Sequence, residues 1–211
     1  VFLHFGWGGT ERLTDGGLAV QIENVARTAE MVKLAKRLGC NRFVNVGSFE
    51  ETHLESALAA KTPYAGQQRD YALAKLAARD MARTLAYFEK IDFVHTRLSL
   101  PLSADLSGPG FVESALRAIL NGQSDHPSPQ NANLFDAVHM QDVAEAFEHI
   151  ATIGANGADY FIGSGHATTL SALFSRAVLG ESLPPPNDLG DGRLAADTGF
   201  RATRDPLGVF L

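Results

Sequence analysis

Arg42-Phe43-Val44-Asn45-Val46-Gly47-Ser48 and, after a polar interval, Tyr71-Ala72-Leu73-Ala74-Lys75 bound the stretch that decides the fold. The first segment is a short run rich in β-branched and aromatic residues that ends on glycine and serine, the pattern of a buried strand. The second opens a long helical pattern, and Tyr71 and Lys75, at i and i+4, share one helix face. A phenol and an ammonium on one face can together form a proton-donating site. A tyrosine with an ordinary pKa near 10 is a weak acid-base catalyst at neutral pH, and a neighbouring cation stabilises its phenolate.

Outward from that stretch, apolar runs alternate with helical patterns. Val1-Phe2-Leu3-His4-Phe5 reads as a strand closed by Gly6-Trp7-Gly8-Gly9-Thr10. That loop fails as a phosphate-cradling G-x-G-x-x-G, because Glu11 stands where the third glycine belongs and Asp15-Gly16-Gly17 interrupts the helix that should follow. A helix is expected from about Val20 to Leu38, on the period of Ile22, Val25, Ala26, Ala29, Val32 and Leu38, with Gly39 as its stop. After Ser48 an irregular stretch runs to Arg69, with a short helix around Leu54 to Ala60. From Asp70 to Glu89 the stripe Leu73, Leu76, Ala77, Met81, Leu85 and Phe88 reads as the buried face of a helix. Ile91 to Leu98 is the next strand. This alternation predicts a parallel sheet covered by helices.

Beyond Leu98 the pattern changes: a helix over Phe111 to Leu120, a surface loop over 124–133, a short strand around Leu134 to His139 and a helix with Asp142 near its start. Ala158 to Gly165 forms a last strand and glycine turn. A helix from Thr169 to Leu179 follows, then the stiff Pro184-Pro185-Pro186.

Composition narrows the function. A chain of 211 residues with a formal net charge of −6 and no block of like charge argues against a nucleic-acid surface and leaves a small molecule as the expected partner. The single cysteine, Cys40, has no disulfide partner, which fits a reducing cytoplasmic setting. There is neither an apolar run long enough to span a membrane nor a signal-peptide pattern. The seven histidines include no H-E-x-x-H and no Cys/His pair, so no metal site is expected, and no G-x-S-x-G surrounds Ser48, which argues against a hydrolase.

A strand ending on Ser48, then Tyr71-x-x-x-Lys75 on a helix, resembles the arrangement of the short-chain dehydrogenase/reductase superfamily. Four further segments resemble its extended branch, the NAD-dependent epimerase/dehydratase family. These are Phe2-Leu3-His4-Phe5-Gly6 for the fourth strand and Asn24-Val25-Ala26-Arg27-Thr28 for the N-V-x-G-T element. Ser107-Gly108-Pro109-Gly110 stands for Y-G-P-G, and Phe135-Asp136-Ala137-Val138-His139 through Val143-Ala144 for the R-D-F-V-H-V-D-D-V-A box. Asp197-Thr198-Gly199-Phe200-Arg201 resembles the C-terminal signature without its proline. The family's Arg is Phe135 here, which puts its phosphate contact in question.

The resemblance implies an α/β fold: a partial Rossmann-type parallel sheet flanked by helices, with a small C-terminal substrate lobe. Residues 1–100 and about 140–165 would form the nucleotide-binding core, and about 101–139 and 166–211 the lobe. The matches begin at the family's fourth strand, so a truncated sequence is the expectation, the glycine-rich loop and the residue that chooses NAD or NADP lying outside it.

By the same resemblance Ser48, Tyr71 and Lys75 are catalytic, with Asn24 and Glu50 in support. Phe5, Gly6, Trp7, Val46, Gly47, Tyr71, Lys75, Leu98 and Leu100 would bind NAD or NADP, and Ser48, Phe49, Phe135 and His139 a nucleotide-linked sugar. The implied reaction is reduction of a 4-keto sugar by an oxidoreductase or epimerase, with Tyr71 as proton donor. A sugar 4,6-dehydratase is a further alternative, weakened because its usual Thr-Asp-Glu is Ser48-Phe49-Glu50 here. A scaffold or sensor without turnover is the alternative from another class. Dimerisation through the two long helices is common in the family.

Overall fold

In the computed structural model, residues 1–9, 16–64, 66, 68–108, 110–123, 134–187, 189–190 and 192–208 are described. The expected surface loop at 124–133, together with Thr10, Glu11, Asp15 and Pro109, lies outside them. The chain divides into two compact units, Val1–Leu98 with Glu148–Phe161 and Ser99–Phe147 with Ile162–Leu211. No helix among the described residues is long and apolar enough to cross a membrane.

The first unit is built on a sheet of order β1-β2-β3-β7, with β1 Phe2–His4, β2 Arg42–Ser48, β3 Asp92–Leu98 and β7 Asp159–Ile162. β2 pairs parallel with β1 and with β3, in register from Phe2 opposite Phe43 and from Arg42 opposite Asp92. A central strand of a parallel sheet is buried on both faces, so its sequence runs apolar instead of alternating. β2 is buried without interruption from Phe43 to Ser48. Helices α1 Gly17–Arg37, α2 Glu50–Ala60 and α3 Arg69–Glu89 fill the connections.

Helix boundaries fall close to expectation, but the buried faces do not. On α3 the residues turned inward are Ala72, Ala74, Lys75, Ala78, Ala82 and Ala86, whereas Leu73 is 51% exposed, Met81 47% and Phe88 68%. The stripe read as core is therefore largely surface. The reason is steric. Alanines at i, i+4, i+8 let α3 approach α1 and the sheet closely, and Ala82 and Ala86 share one cluster with Val32, Ala35, Phe43, Ile91 and Phe93. On α1 the first turns likewise bury Gln21, Asn24 and Thr28 and leave Ile22 58% exposed.

Arg97 and Arg79 tie this unit together. Arg97 pairs with Asp159 of β7 at 3.0 Å and with Glu55 of α2 at 2.7 Å, and Arg79 of α3 meets Glu55 at 2.8 Å.

The second unit contains β4 Leu100–Leu102 parallel to β6 Ala137–His139, β5 Leu134–Phe135 antiparallel to β8 Thr168–Thr169, and helices α4 Phe111–Leu120, α6 Leu170–Leu179 and α7 Arg193–Thr198. Helix α5, Met140–Ile153, runs through the division at Glu148. Leu102, Leu106, Leu116, Leu173, Phe174 and Leu207 form the second core, with Phe135 packed at its margin. Buried Asp136 accepts the Ser164 and Gly165 backbone N–H groups at 2.6 and 2.9 Å, anchoring the glycine turn. Asp142, expected only to favour the start of its helix, is fully buried. It also accepts the backbone N–H groups of Thr203 and Arg204 and pairs with the Arg204 guanidinium.

Candidate active site

Ser48 lies at the C-terminal end of β2 because the parallel register carries β2 and β3 together as far as Ser48 opposite Leu98. Its Oγ accepts the Glu50 N–H at 3.3 Å while Glu51 Oε1 accepts the Ser48 N–H at 2.8 Å. The serine hydroxyl and the Glu51 carboxylate thus each accept a backbone N–H of the turn that leads into α2, which fixes the serine. Tyr71 and Lys75 come from the first turns of α3, where the Ser48 side chain is close enough to act on the Tyr71 phenol.

The Lys75 ammonium donates to the Val46 carbonyl at 2.8 Å, lies 3.9 Å from the centre of the Trp7 ring and 5.6 Å from that of Tyr71. Trp7 meets Tyr71 edge to face at 6.0 Å and donates its indole N–H to Gln21 at 2.8 Å. Asn24 clamps the loop through both ends of its amide, donating to the Gly8 carbonyl at 2.9 Å and accepting the Gly8 N–H at 3.1 Å. His4 is buried with its ring nitrogen 3.2 Å from the Thr28 hydroxyl. Glu50 accepts the Tyr64 hydroxyl. Phe49 is buried and edge-on to His53 at 5.1 Å.

Electrostatics follow from this enclosure. Burial drives Lys75 down to about 8, while the Glu51 carboxylate works to raise it. Burial pushes Tyr71 up to about 12, the Ser48 hydrogen bond works to lower it, and the charges of Glu51 and Glu50 add to the rise. His4 is lowered to about 4 by burial and then by Lys75. The expected depression of the tyrosine by the lysine is thus not what the site shows. The ammonium is committed to the Val46 carbonyl and the indole, and the dominant influence on the phenol is loss of solvent.

Ser48, Tyr71, Lys75, Val46, Gly47, Trp7, Asn24, Glu50 and Phe49 therefore come together in the first unit, where Phe5 is exposed and Leu98 ends β3. Leu100, Phe135 and His139 belong to the second unit, on β4, β5 and β6. There His139 is buried and its Nδ1 accepts the Gln141 N–H at 3.1 Å. Sequence reasoning missed Glu51, Gln21 and His95. The spacing Ser48-x-x-Glu51 was the available signal for the first, whereas nothing in sequence announces His95, which reaches the site only through strand pairing.

The fold places this chain among parallel α/β proteins of the Rossmann type. Residues 6–163 match the model of the NAD dependent epimerase/dehydratase family, and the chain belongs to that family. Similar solved structures include RMD from Pseudomonas aeruginosa complexed with NADPH (TM-score 0.75, 18% identity, 99% of this chain and 80% of that one). UDP-glucose 4-epimerase from Thermotoga maritima with UDP-glucose is similar at TM-score 0.67 and 17% identity, over 99% of this chain and 74% of that one. DesIV, a dTDP-glucose 4,6-dehydratase from Streptomyces venezuelae with NAD and TYD bound, aligns at TM-score 0.71 and 19% identity, over 96% and 68%. No curated protein matches the sequence.

Proposed function

We propose that this chain is an NAD(P)-dependent reductase of a nucleotide-linked 4-keto sugar in which Tyr71 donates the proton to the carbonyl oxygen. The observation that supports it most is the convergence of Ser48, at the end of β2, on a Tyr71 phenol that burial keeps protonated throughout the neutral range, with the Lys75 ammonium one turn along the same helix. In this reading Ser48 holds the carbonyl oxygen and Tyr71 delivers its proton as negative charge develops there.

The residues present suit a nicotinamide cofactor. Lys75 is 5% exposed and spends one of its three N–H donors on Val46, a buried cation with donors suited to ribose hydroxyls. Trp7, Val46, Gly47 and Leu98 of the first unit would hold the cofactor beside it, with Phe5 and Gly6. When bound, the cofactor supplies the hydride. The first unit is read as the nucleotide-binding core and the second as the substrate lobe, where Phe135 and His139 would meet the sugar nucleotide. Reduction is favoured over dehydration because Phe49, buried against His53, offers no carboxyl group where a dehydratase needs one.

The test is a panel of nucleotide-linked 4-keto-6-deoxyhexoses and nucleotide hexoses, each with NADH and NADPH. Expected is stoichiometric oxidation of the reduced cofactor with formation of the 4-hydroxy sugar. Inversion of a hexose without net cofactor consumption would instead establish an epimerase, and cofactor binding with no turnover a sensor.

A homodimer through α1 and α3 belongs to the same proposal. These two helices pack on each other, and each keeps large apolar side chains in water, Ile22 on one and Leu73 and Met81, two turns apart, on the other. The double substitution Leu73→Glu and Met81→Glu is expected to convert a dimer to a monomer by light scattering; a wild-type chain already monomeric at micromolar concentration would refute it.

A further inference from the structure

Next to Ser48 the first unit buries a second polar cluster that the proposed reaction does not use. Glu51 of α2 and His95 of β3 are both 0% exposed. Glu51 Oε2 and His95 Nε2 are 2.8 Å apart, and the other ring nitrogen lies 3.1 Å from the Asn45 amide. Two ionisable side chains buried at such cost in water contacts call for a role beyond filling space.

Gly47 shows that the backbone is cut to fit them. A Cβ at that position would lie 2.3 Å from Glu51 Oε1 and 2.4 Å from His95 Cε1, so the residue before Ser48 has room for no side chain. Its φ is not in the left-handed region, hence glycine is required here by the neighbouring pair and not by the turn. The same carboxylate reaches forward as well as back: its Oε1 accepts the Ser48 N–H at 2.8 Å.

We propose that Glu51 and His95 are positioning residues for proton transfer, the carboxylate fixing the Ser48 backbone and setting a negative charge near the Lys75 ammonium, which the Val46 carbonyl holds two residues before Ser48 on the same strand. This rests on the reading of Ser48, Tyr71 and Lys75 as the reacting side chains. His95 in turn holds the carboxylate in the orientation that serves Ser48.

The charges around this centre come from every element packed on it. His4 from β1 faces Lys75; Glu51 from α2 faces both Lys75 and Tyr71; Glu50 faces Tyr71; Tyr64 faces Glu50 and Tyr71; and Arg97 and His95 from β3 face Glu51. Burial works to raise the Glu51 carboxyl, but His95, the Ser48 N–H and Arg97 outweigh it and hold the group below the usual carboxylate range. It is therefore anionic where Lys75, lowered to about 8, titrates. Without that anion the ammonium would lose its proton at lower pH.

Two substitutions separate the two roles. Glu51→Gln keeps the reach to Ser48 and removes the charge; Glu51→Asp keeps the charge and withdraws the oxygen. Trp7 is the only tryptophan in the chain and its ring lies 3.9 Å from the Lys75 nitrogen, so its fluorescence followed against pH reports the lysine without cofactor or substrate. Lys75→Met identifies the transition by abolishing it.

For Glu51→Gln the midpoint is expected to fall by roughly one pH unit, the scale of one charge acting across a poorly solvated gap. For Glu51→Asp the midpoint is expected to hold while kcat drops about tenfold or more with KM little changed, as a displacement on the order of 1 Å does. A wild-type midpoint in Glu51→Gln overturns the electrostatic role, and a wild-type kcat in Glu51→Asp overturns the positioning role. Should Glu51→Gln lose its circular dichroism, the carboxylate serves the fold and the electrostatic role is overturned, while Glu51→Asp decides the positioning role. Because the fluorescence titration needs no reaction, a chain that reduces no keto sugar would sink the proposed activity and still leave the influence of Glu51 on Lys75 measurable.

Discussion

Replacing Tyr71 by phenylalanine is expected to reduce turnover of a 4-keto sugar nucleotide by about 10²–10⁴-fold, the range that one positioned proton donor contributes. KM for the sugar should change little, since the lost hydroxyl acts as the carbonyl oxygen acquires charge. The fold should survive, because the ring keeps its edge contact with Trp7 and only the phenol oxygen is lost. The phenol, pushed up to about 12, stays protonated from acid to well above neutrality, so no loss of activity on the acid side belongs to it. Unchanged oxidation of NAD(P)H by the variant in the presence of a 4-keto sugar nucleotide would eliminate Tyr71 as the donor.

Lys75→Met should be as damaging to turnover yet leave the protein no less stable at pH 7. The wild-type ammonium is lowered from 10.5 to about 8 in the folded chain. Between those values the unfolded chain binds more protons than the folded one, so stability rises with pH across the window from about 8 to 10.5. Below pH 8 the folded state carries the whole cost of the buried charge, on the order of 3 kcal/mol. Methionine removes that cost and forfeits the hydrogen bond to Val46 and the contact with the Trp7 ring, together about 1–3 kcal/mol. The variant's Tm should match or exceed that of wild type at pH 7, and the difference should shift in favour of wild type as pH rises toward 10. A Tm many degrees below wild type at pH 7 would show that the ammonium supports the fold. In the wild-type enzyme the alkaline loss of activity should centre near pH 8, as Lys75 is neutralised.

Much of the architecture was legible because it rests on local pattern. The apolar residues Phe43, Val44 and Val46 closed by Gly47-Ser48 declare a strand buried on both faces, and Phe111–Leu120 between Gly110 and Asn121-Gly122 declares a helix with its ends. The mistaken face of α3 is instructive. That helix carries two apolar stripes, a large one through Leu73 and Met81 and a small one through Ala74, Ala78, Ala82 and Ala86, and hydrophobicity alone favours the large. What selects the small is how near α1 and β2 must come, a distance absent from any single segment's pattern. The same limit hid the polar face of α1, where Gln21, Asn24 and Thr28 are buried because loop carbonyls, an indole and an imidazole wait for them.

By itself the sequence determined the alternation of strands and helices, the serine at a strand end and the phenol and ammonium on one helix face, since each depends on residues near one another along the chain. Only the tertiary structure decided what surrounds them: the indole laid on Lys75, the amide clamp on Gly8, and a carboxylate and imidazole joined from α2 and β3 beside Ser48. Such contacts depend on which strands pair and how closely helices pack, and those are settled by burial summed over the whole unit.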